Sequence, residues 1–358
     1  MKQKNISVKS SKGSYEVLFT NDAMKRLKSE YCSSDYLCVD KNVGDLFPEF
    51  LTINHSKTFV LDSSENAKSY EGVIPLLDKL ISSGFKRDGK LFAIGGGITQ
   101  DAVSFLASML YRGVEWKFIP TSLLSQCDSC IGSKTSINFR QYKNQLGGFY
   151  PPSQVFIDTS FIETLGGAQI ASGLGEMLHY FTVTSKDDLD FFIDRTPSVK
   201  KSGNGLDEMI SRSLEIKKNM VELDEFDRGP RNIFNYGHSF GHALESSCNY
   251  SLPHGIAVSY GIDLANIIAV HLGLIDMSLR NYIRSGSQLV FSGFECPEID
   301  IENYFEALKR DKKNSGTKLG LILLSDIGSA SKVMVEFSED IKEQISSFFS
   351  NKLYLKDL

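Results

Sequence analysis

Lys90-Leu-Phe-Ala-Ile-Gly-Gly-Gly-Ile-Thr-Gln-Asp-Ala-Val-Ser-Phe-Leu-Ala-Ser-Met-Leu110 is the stretch from which the architecture can be read. Its apolar start, up to Ile94, reads as a buried strand that runs directly into Gly95-Gly-Gly97. A helical stretch, Asp101 to Leu110, follows. Upstream, residues 15–20, Tyr36-Leu-Cys-Val-Asp40 and Thr58-Phe-Val-Leu61 read as strands, and 68–83 reads as a helix ending at Gly84. Downstream, Gln154-Val-Phe-Ile-Asp158 reads as a further strand. Strand and helix in alternation imply an open parallel sheet with helices on both faces.

The triple glycine lets backbone amides approach a phosphate at a helix N-terminus, although a tight structural turn would use the same residues. It is not the G-x-G-x-x-G dinucleotide fingerprint. Asp101 either caps the helix or touches a cofactor, and Asp40, at a strand end, suits a ribose hydroxyl. Residues 121–152 are rich in Ser, Gly, Asn and Lys, which predicts a functional loop region. Within it, Asp128, Lys134, Lys143 and Asn144 lie among glycines, and lysines in such a setting either hold phosphate or stand in solvent. Lys217, Arg231 and the pair Lys312-Lys313 carry the same two readings.

From residue 166 onward the periodicity is helical, over 170–183, 206–225, 236–247, 256–272, 279–291 and 302–310. The chain therefore divides into an α/β domain, 1–165, and a mainly α-helical domain, 166–358. The second domain contains Arg231-Asn-Ile-Phe-Asn-Tyr-Gly-His-Ser-Phe-Gly-His242, followed twelve residues later by His254. His238 and His242 are four apart and share a face if the segment is helical, with Asn235 and Arg231 one and two turns upstream. His179 stands three residues after Glu176. A Glu with clustered histidines is the equipment of a divalent metal site that keeps a position open for substrate.

Bulk properties set further bounds. The chain has 358 residues, 41% hydrophobic and 23% charged, with a net charge of −5. An acidic chain is not a general binder of nucleic acid or membrane surfaces, so any anionic ligand must be met by locally gathered cations. The six cysteines form no disulfide framework. Cys127-x-x-Cys130 lacks the second pair of a four-sulfur zinc site and reads as small loop residues, with a redox role as the alternative. The N-terminus has no apolar core of a signal peptide, and the most apolar long run, Tyr260 to Met277, carries Asp263, His271 and Asp276. A cytoplasmic protein with no membrane span is expected.

Taken together, the chain resembles the 3-dehydroquinate synthase family of sugar-phosphate cyclases over about residues 36 to 330. The resemblance rests on Gly95-Gly-Gly-Ile-Thr-Gln-Asp101, Arg112-Gly-Val, Pro120-Thr-Ser-Leu-Leu, Asp128-x5-Lys134-Thr, Lys143-Asn144 and Glu215-Ile-Lys217. It continues through Asp224-Glu225, Arg231-x3-Asn235-x-Gly-His238-x3-His242, His254-Gly and Asp311-Lys312-Lys313. It implies an N-terminal nucleotide-binding domain with a helical C-terminal domain. It implies metal ligands at Glu176, His238 and His254, with zinc the first expectation and cobalt the second. NAD would be held by Asp40, Glu65, Lys68, Gly96, Gly97 and Asp101, together with Thr121, Ser122, Lys143 and Thr164. Substrate positions fall on Asp128, Lys134, Asn144, Lys217, Arg231, Asn235, His242 and Lys312, and Arg112 matches an arginine that reaches the substrate phosphate across a dimer interface.

The implied reaction converts a seven-carbon ulosonate phosphate, 3-deoxy-arabino-heptulosonate 7-phosphate or a close relative, into a carbocycle with loss of phosphate and with NAD regenerated. A diverged cyclase with another product, and a metal- and NAD-dependent polyol dehydrogenase, are the alternatives. Arg231 and Lys217 favour a substrate bearing a carboxylate. Two positions depart from the family pattern. Gly166-Gly-Ala-Gln169 replaces its Pro-x-Arg-Glu, and His179 replaces the Lys three residues after the metal-binding Glu. That histidine is expected to hydrogen-bond substrate, with a place in the metal shell or no direct role as alternatives.

Overall fold

The computed structural model describes residues 5–140 and 142–355. Its β5 is an interior strand of a seven-stranded sheet built from β1 (Ile6–Ser10), β2 (Gly13–Phe19), β3 (Tyr36–Asp40), β4 (Thr58–Leu61), β5 (Leu91–Gly95), β6 (Trp116–Pro120) and β9 (Gln154–Ile157). The spatial order is β1-β2-β9-β6-β5-β3-β4. Every neighbouring pair is parallel except β1 with β2. All residues of β3, β5 and β6 are buried, as expected of strands covered on both faces. Leu37, Val39, Phe92, Ile94, Ile119 and Phe156 form the core beneath the helices on one side.

The winding direction reverses at β3. The chain moves from β3 out to β4, then crosses back to place β5 on the other side of β3. In open α/β sheets such a reversal leaves a crevice beyond the carboxyl ends of the two strands, and ligands bind there.

The polar stretch 121–152 is not the open loop expected. It holds a short π-helical turn, Ser125–Ser129, and an antiparallel hairpin of β7 (Lys134–Phe139) and β8 (Tyr142–Phe149). Lys134, Phe139, Tyr142 and Lys143 are exposed, so the hairpin has little of the apolar alternation that marks a strand. Cys127 and Cys130 are buried, and burial pushes the Cys130 thiol up to about 12. A thiol held protonated in this way is unsuited to redox exchange.

The chain forms two compact units. One runs to Leu165 and includes Lys217–Phe226, and the other comprises Gly166–Ile216 and Asp227 onward. The second unit is mainly helical and also contains the antiparallel pair β10 (Lys318–Asp326) and β11 (Ser329–Glu336). Its centre is the helix His254–His271, buried along its length from Gly255 to Ala269. Three helices meet there because glycines remove the side chains that would keep them apart. A Cβ on Gly255 would lie 1.8 Å from Ser172 O, and one on Gly175 would lie 2.0 Å from Gly255 O. A Cβ on Gly261 would lie 2.1 Å from Gly237 O. No helix among the described residues is long and apolar enough to cross a membrane.

Candidate active site

Those glycine contacts bring three ligand-bearing residues to one point. Glu176 follows Gly175 on the buried helix Gly167–Thr184, His254 precedes Gly255, and His238 follows Gly237. The stretch 231–242 is not one continuous helix. Pro230–Asn235 is a 3-10 turn, Gly237 takes a left-handed φ of 78°, and the α-helix His238–Ser247 starts only after it. His238 and His242 then share a face, with ring centroids 5.5 Å apart.

Glu176 Oε1 lies 2.9 Å from His254 Nε2 and 3.7 Å from His238 Nε2. One ligand atom from each of the three lies within 4.8 Å of the other two. One hard oxygen and two imidazole nitrogens, converging on one point with His254 on its open side, fit a divalent cation of the zinc type. The electrostatics agree. Burial opposes ionisation of Glu176, but His254 and His238 beside it hold its carboxyl well below the usual range. Burial lowers His238 to about 3, so its ring is neutral, the form that ligates. Burial also disfavours charge on His254, yet Glu176 and Glu245 on either side raise it well above its ordinary value. A cation bound at Nε2 would take the place of the extra proton this favours.

The outer ring of this cluster contains two further residues. His179, 1% exposed, places Nε2 2.9 Å from Glu176 Oε2. That nitrogen is thus engaged by the carboxylate, and the imidazole packs against Tyr180 and Phe234. Glu245 Oε2 lies 2.9 Å from His254 Nδ1. Sequence reading passed over Glu245, although it stands seven residues after His238 and three after His242, a spacing that places all three on one helical face. Arg231 is buried in the 3-10 turn, Asn235 donates through Nδ2 to Asn232 O at 3.1 Å, and His242 and Lys312 are exposed.

In the first unit, the nucleotide-binding candidates gather beyond the carboxyl ends of the parallel strands. Asp40 ends β3 and caps the next helix, accepting from Asn42 N at 2.9 Å and Ser63 Oγ at 2.7 Å. Gly96 follows β5 and is the N-cap of the helix Gly97–Met109. Asp101 therefore lies inside that helix and does not cap it; its carboxylate pairs with Lys68 at 2.6 Å. A Cβ on Gly95 would fall 2.8 Å from Asp40 Cβ, so β3 and β5 meet closely where the winding reverses, while Gly97 opens to empty space. Thr121 and Ser122 follow β6, and Thr164 ends the 3-10 segment after β9. Glu65 follows β4 and accepts from Asn138 Nδ2 at 2.8 Å. Lys143 stands apart from these, on β8.

Two substrate candidates pair directly. Lys217, 5% exposed, donates to Asp128 Oδ1 at 2.7 Å and to Asp128 O at 2.6 Å. Asn144, exposed at φ 54°, donates its backbone N–H to Asn138 Oδ1 at 3.0 Å. Asn138 thus ties Glu65 to the Asn144 turn, a role that no motif announced. Arg112 is exposed on a left-handed turn with φ 66°.

Comparison with known proteins gives a consistent result. Residues 58–172 match the model for 3-dehydroquinate synthase N-terminal domains, and residues 173–314 match that for the C-terminal domain. The chain is 35% identical over 350 residues to the 3-dehydroquinate synthase of Dictyoglomus turgidum, covering 96% of each. It is 32% identical to that of Campylobacter concisus, covering 97% of this chain and 99% of the other. Among solved structures, 2-epi-5-epi-valiolone synthase from Streptomyces hygroscopicus subsp. jinggangensis, with NAD+ and Zn2+ bound, superposes with a TM-score of 0.84 at 25% identity, over 94% of this chain and 97% of that one. A 2-deoxy-scyllo-inosose synthase complexed with carbaglucose-6-phosphate, NAD+ and Co2+ shares the fold, with a TM-score of 0.84 at 23% identity over 96% and 99% of the two chains.

Proposed function

The chain belongs to the 3-dehydroquinate synthase family, and we propose that it is a phosphate-eliminating cyclase, a carbon–oxygen lyase acting on a seven-carbon ulosonate phosphate. The substrate is 3-deoxy-arabino-heptulosonate 7-phosphate or a close relative. The observation that carries this reading is the convergence of Glu176, His238 and His254 on one point. These three would hold the divalent metal, zinc or cobalt. Asp40, Gly96 and Gly97, at the reversal between β3 and β5, would receive NAD with Glu65, Lys68, Asp101, Thr121, Ser122, Lys143 and Thr164.

When bound, the metal would supply Lewis-acid polarisation of a substrate hydroxyl and NAD would supply reversible hydride transfer, the chemistry that lets phosphate leave with no net change in the cofactor. The chain's own residues bind and orient the substrate. Lys217 and Arg231 meet its carboxylate, and Asp128 fixes the Lys217 ammonium in place. Lys134, Asn144, Asn235, His242 and Lys312 bind the phosphate and the ring hydroxyls, and Arg112 completes the phosphate site from the second subunit of a homodimer. His179 acts through Glu176, by holding its second oxygen. We place the enzyme in the cytoplasm.

The test is to incubate the protein with NAD, Zn2+ or Co2+ and a panel of seven-carbon sugar phosphates, then measure released phosphate and product mass. Phosphate release with a carbocyclic product and no net NADH is expected. Steady NADH accumulation without phosphate would instead establish a polyol dehydrogenase.

A further inference from the structure

Glu245 lies outside the three proposed ligands but holds one of them. Its Oε2 is 2.9 Å from His254 Nδ1, while His254 Nε2 is 2.9 Å from Glu176 Oε1 on the opposite side of the ring. The two carboxylates grip the imidazole from both nitrogens, and the Glu245 side chain is itself only 13% exposed. An imidazole that ligates through Nε2 must carry its proton on Nδ1, and a carboxylate on Nδ1 fixes both that tautomer and the ring plane.

Resting on the metal reading of Glu176, His238 and His254, we propose that Glu245 is a positioning residue that fixes His254 as an Nε2 ligand. The competing geometry is a second cation held by His242, Glu245 and His254, whose ligand atoms also lie within 4.8 Å of one another. The positioning role is favoured because a second cation on His254 Nδ1, with the first on Nε2, would need a fully deprotonated imidazolate bridge, whereas an Nδ1–H donated to Glu245 at 2.9 Å needs only the neutral ring.

The experiment titrates Zn2+ into the metal-free wild type, Glu245→Gln and Glu245→Leu against a competing chelator, with thermal midpoints of the metal-free proteins recorded alongside. Wild type is expected to bind one Zn2+ per chain. Glu245→Leu should bind about 10- to 100-fold more weakly with an unchanged metal-free midpoint. Glu245→Gln, whose amide oxygen still accepts from Nδ1–H, should recover most of the loss. Equal affinity in wild type and Glu245→Leu overturns the proposal, as does a second equivalent of Zn2+ that disappears in Glu245→Leu. A wild type that binds no Zn2+ fails at the metal reading itself. Independently of the variants, long-range 1H–15N spectra of the zinc-loaded wild type should show the His254 proton on Nδ1, and a proton on Nε2 would refute the assignment.

Discussion

At the scale of single residues, His179 is where this chain departs most from its family's expected pattern. The sequence favoured a hydrogen bond to substrate, because a titrating ring stood where a long cation was expected. The structure instead turns Nε2 onto Glu176 Oε2 at 2.9 Å, in a pocket where the ring is 1% exposed. Residue spacing can place a side chain on a face, but it cannot say which of two neighbours takes its nitrogen. His179→Ala should leave one carboxylate oxygen of Glu176 without its partner. We expect metal affinity to fall about 10- to 100-fold, measured by Zn2+ competition. His179→Lys, whose ammonium can still donate to Glu176 Oε2, should lose less metal affinity than His179→Ala in the same competition, and an equal loss would show that the hydrogen bond to Glu176 is not what the position supplies.

At the scale of elements, the site depends on backbone contacts that only glycine allows. Helices 167–184 and 254–271 touch through Gly175 and Gly255, next to Glu176 and His254. Gly255→Ala would place a methyl 1.8 Å from Ser172 O, where the obstacle is main chain and cannot rotate aside. The cost should reach or exceed the upper end of the ~1–3 kcal/mol typical of overpacking, with loss of stoichiometric metal binding. Urea unfolding and metal analysis of the same preparation would check both. A second element-level device is the buried pair Asp263–Arg280, with two contacts at 2.8 Å. Arg280 also donates to Leu353 O and Arg284 to Tyr354 O, each at 3.0 Å, so the pair anchors the C-terminal turn. Asp263→Asn leaves a buried guanidinium without its counter-charge and should cost about 3–5 kcal/mol in urea unfolding.

Legibility also varied by element. The strand–glycine–helix run at 90–110 and the helix carrying His238 and His242 were readable because period and turn chemistry agree there. The helix Lys186–Ser202, with Pro197 inside it, and the β10–β11 pair escaped a reading tuned to helical periods. The cofactor candidates were legible as motifs, but their common location required the strand order, which no local pattern encodes.

At the scale of the whole molecule, a net charge of −5 coexists with proposed anion-binding side chains, Lys134, Lys217, Arg231 and Lys312 among them. Local cations serve the ligand while the acidic remainder contributes to solubility. The central claim is that a carboxylate and two imidazoles, remote in sequence, meet at one cation. It is tested most directly by crystals grown with Zn2+ and NAD and measured at the zinc absorption edge. The account predicts one anomalous peak per chain, at about 2.0–2.2 Å from Glu176 Oε1, His238 Nε2 and His254 Nε2. No peak there, or a peak held instead by His242 and Glu245, would contradict it.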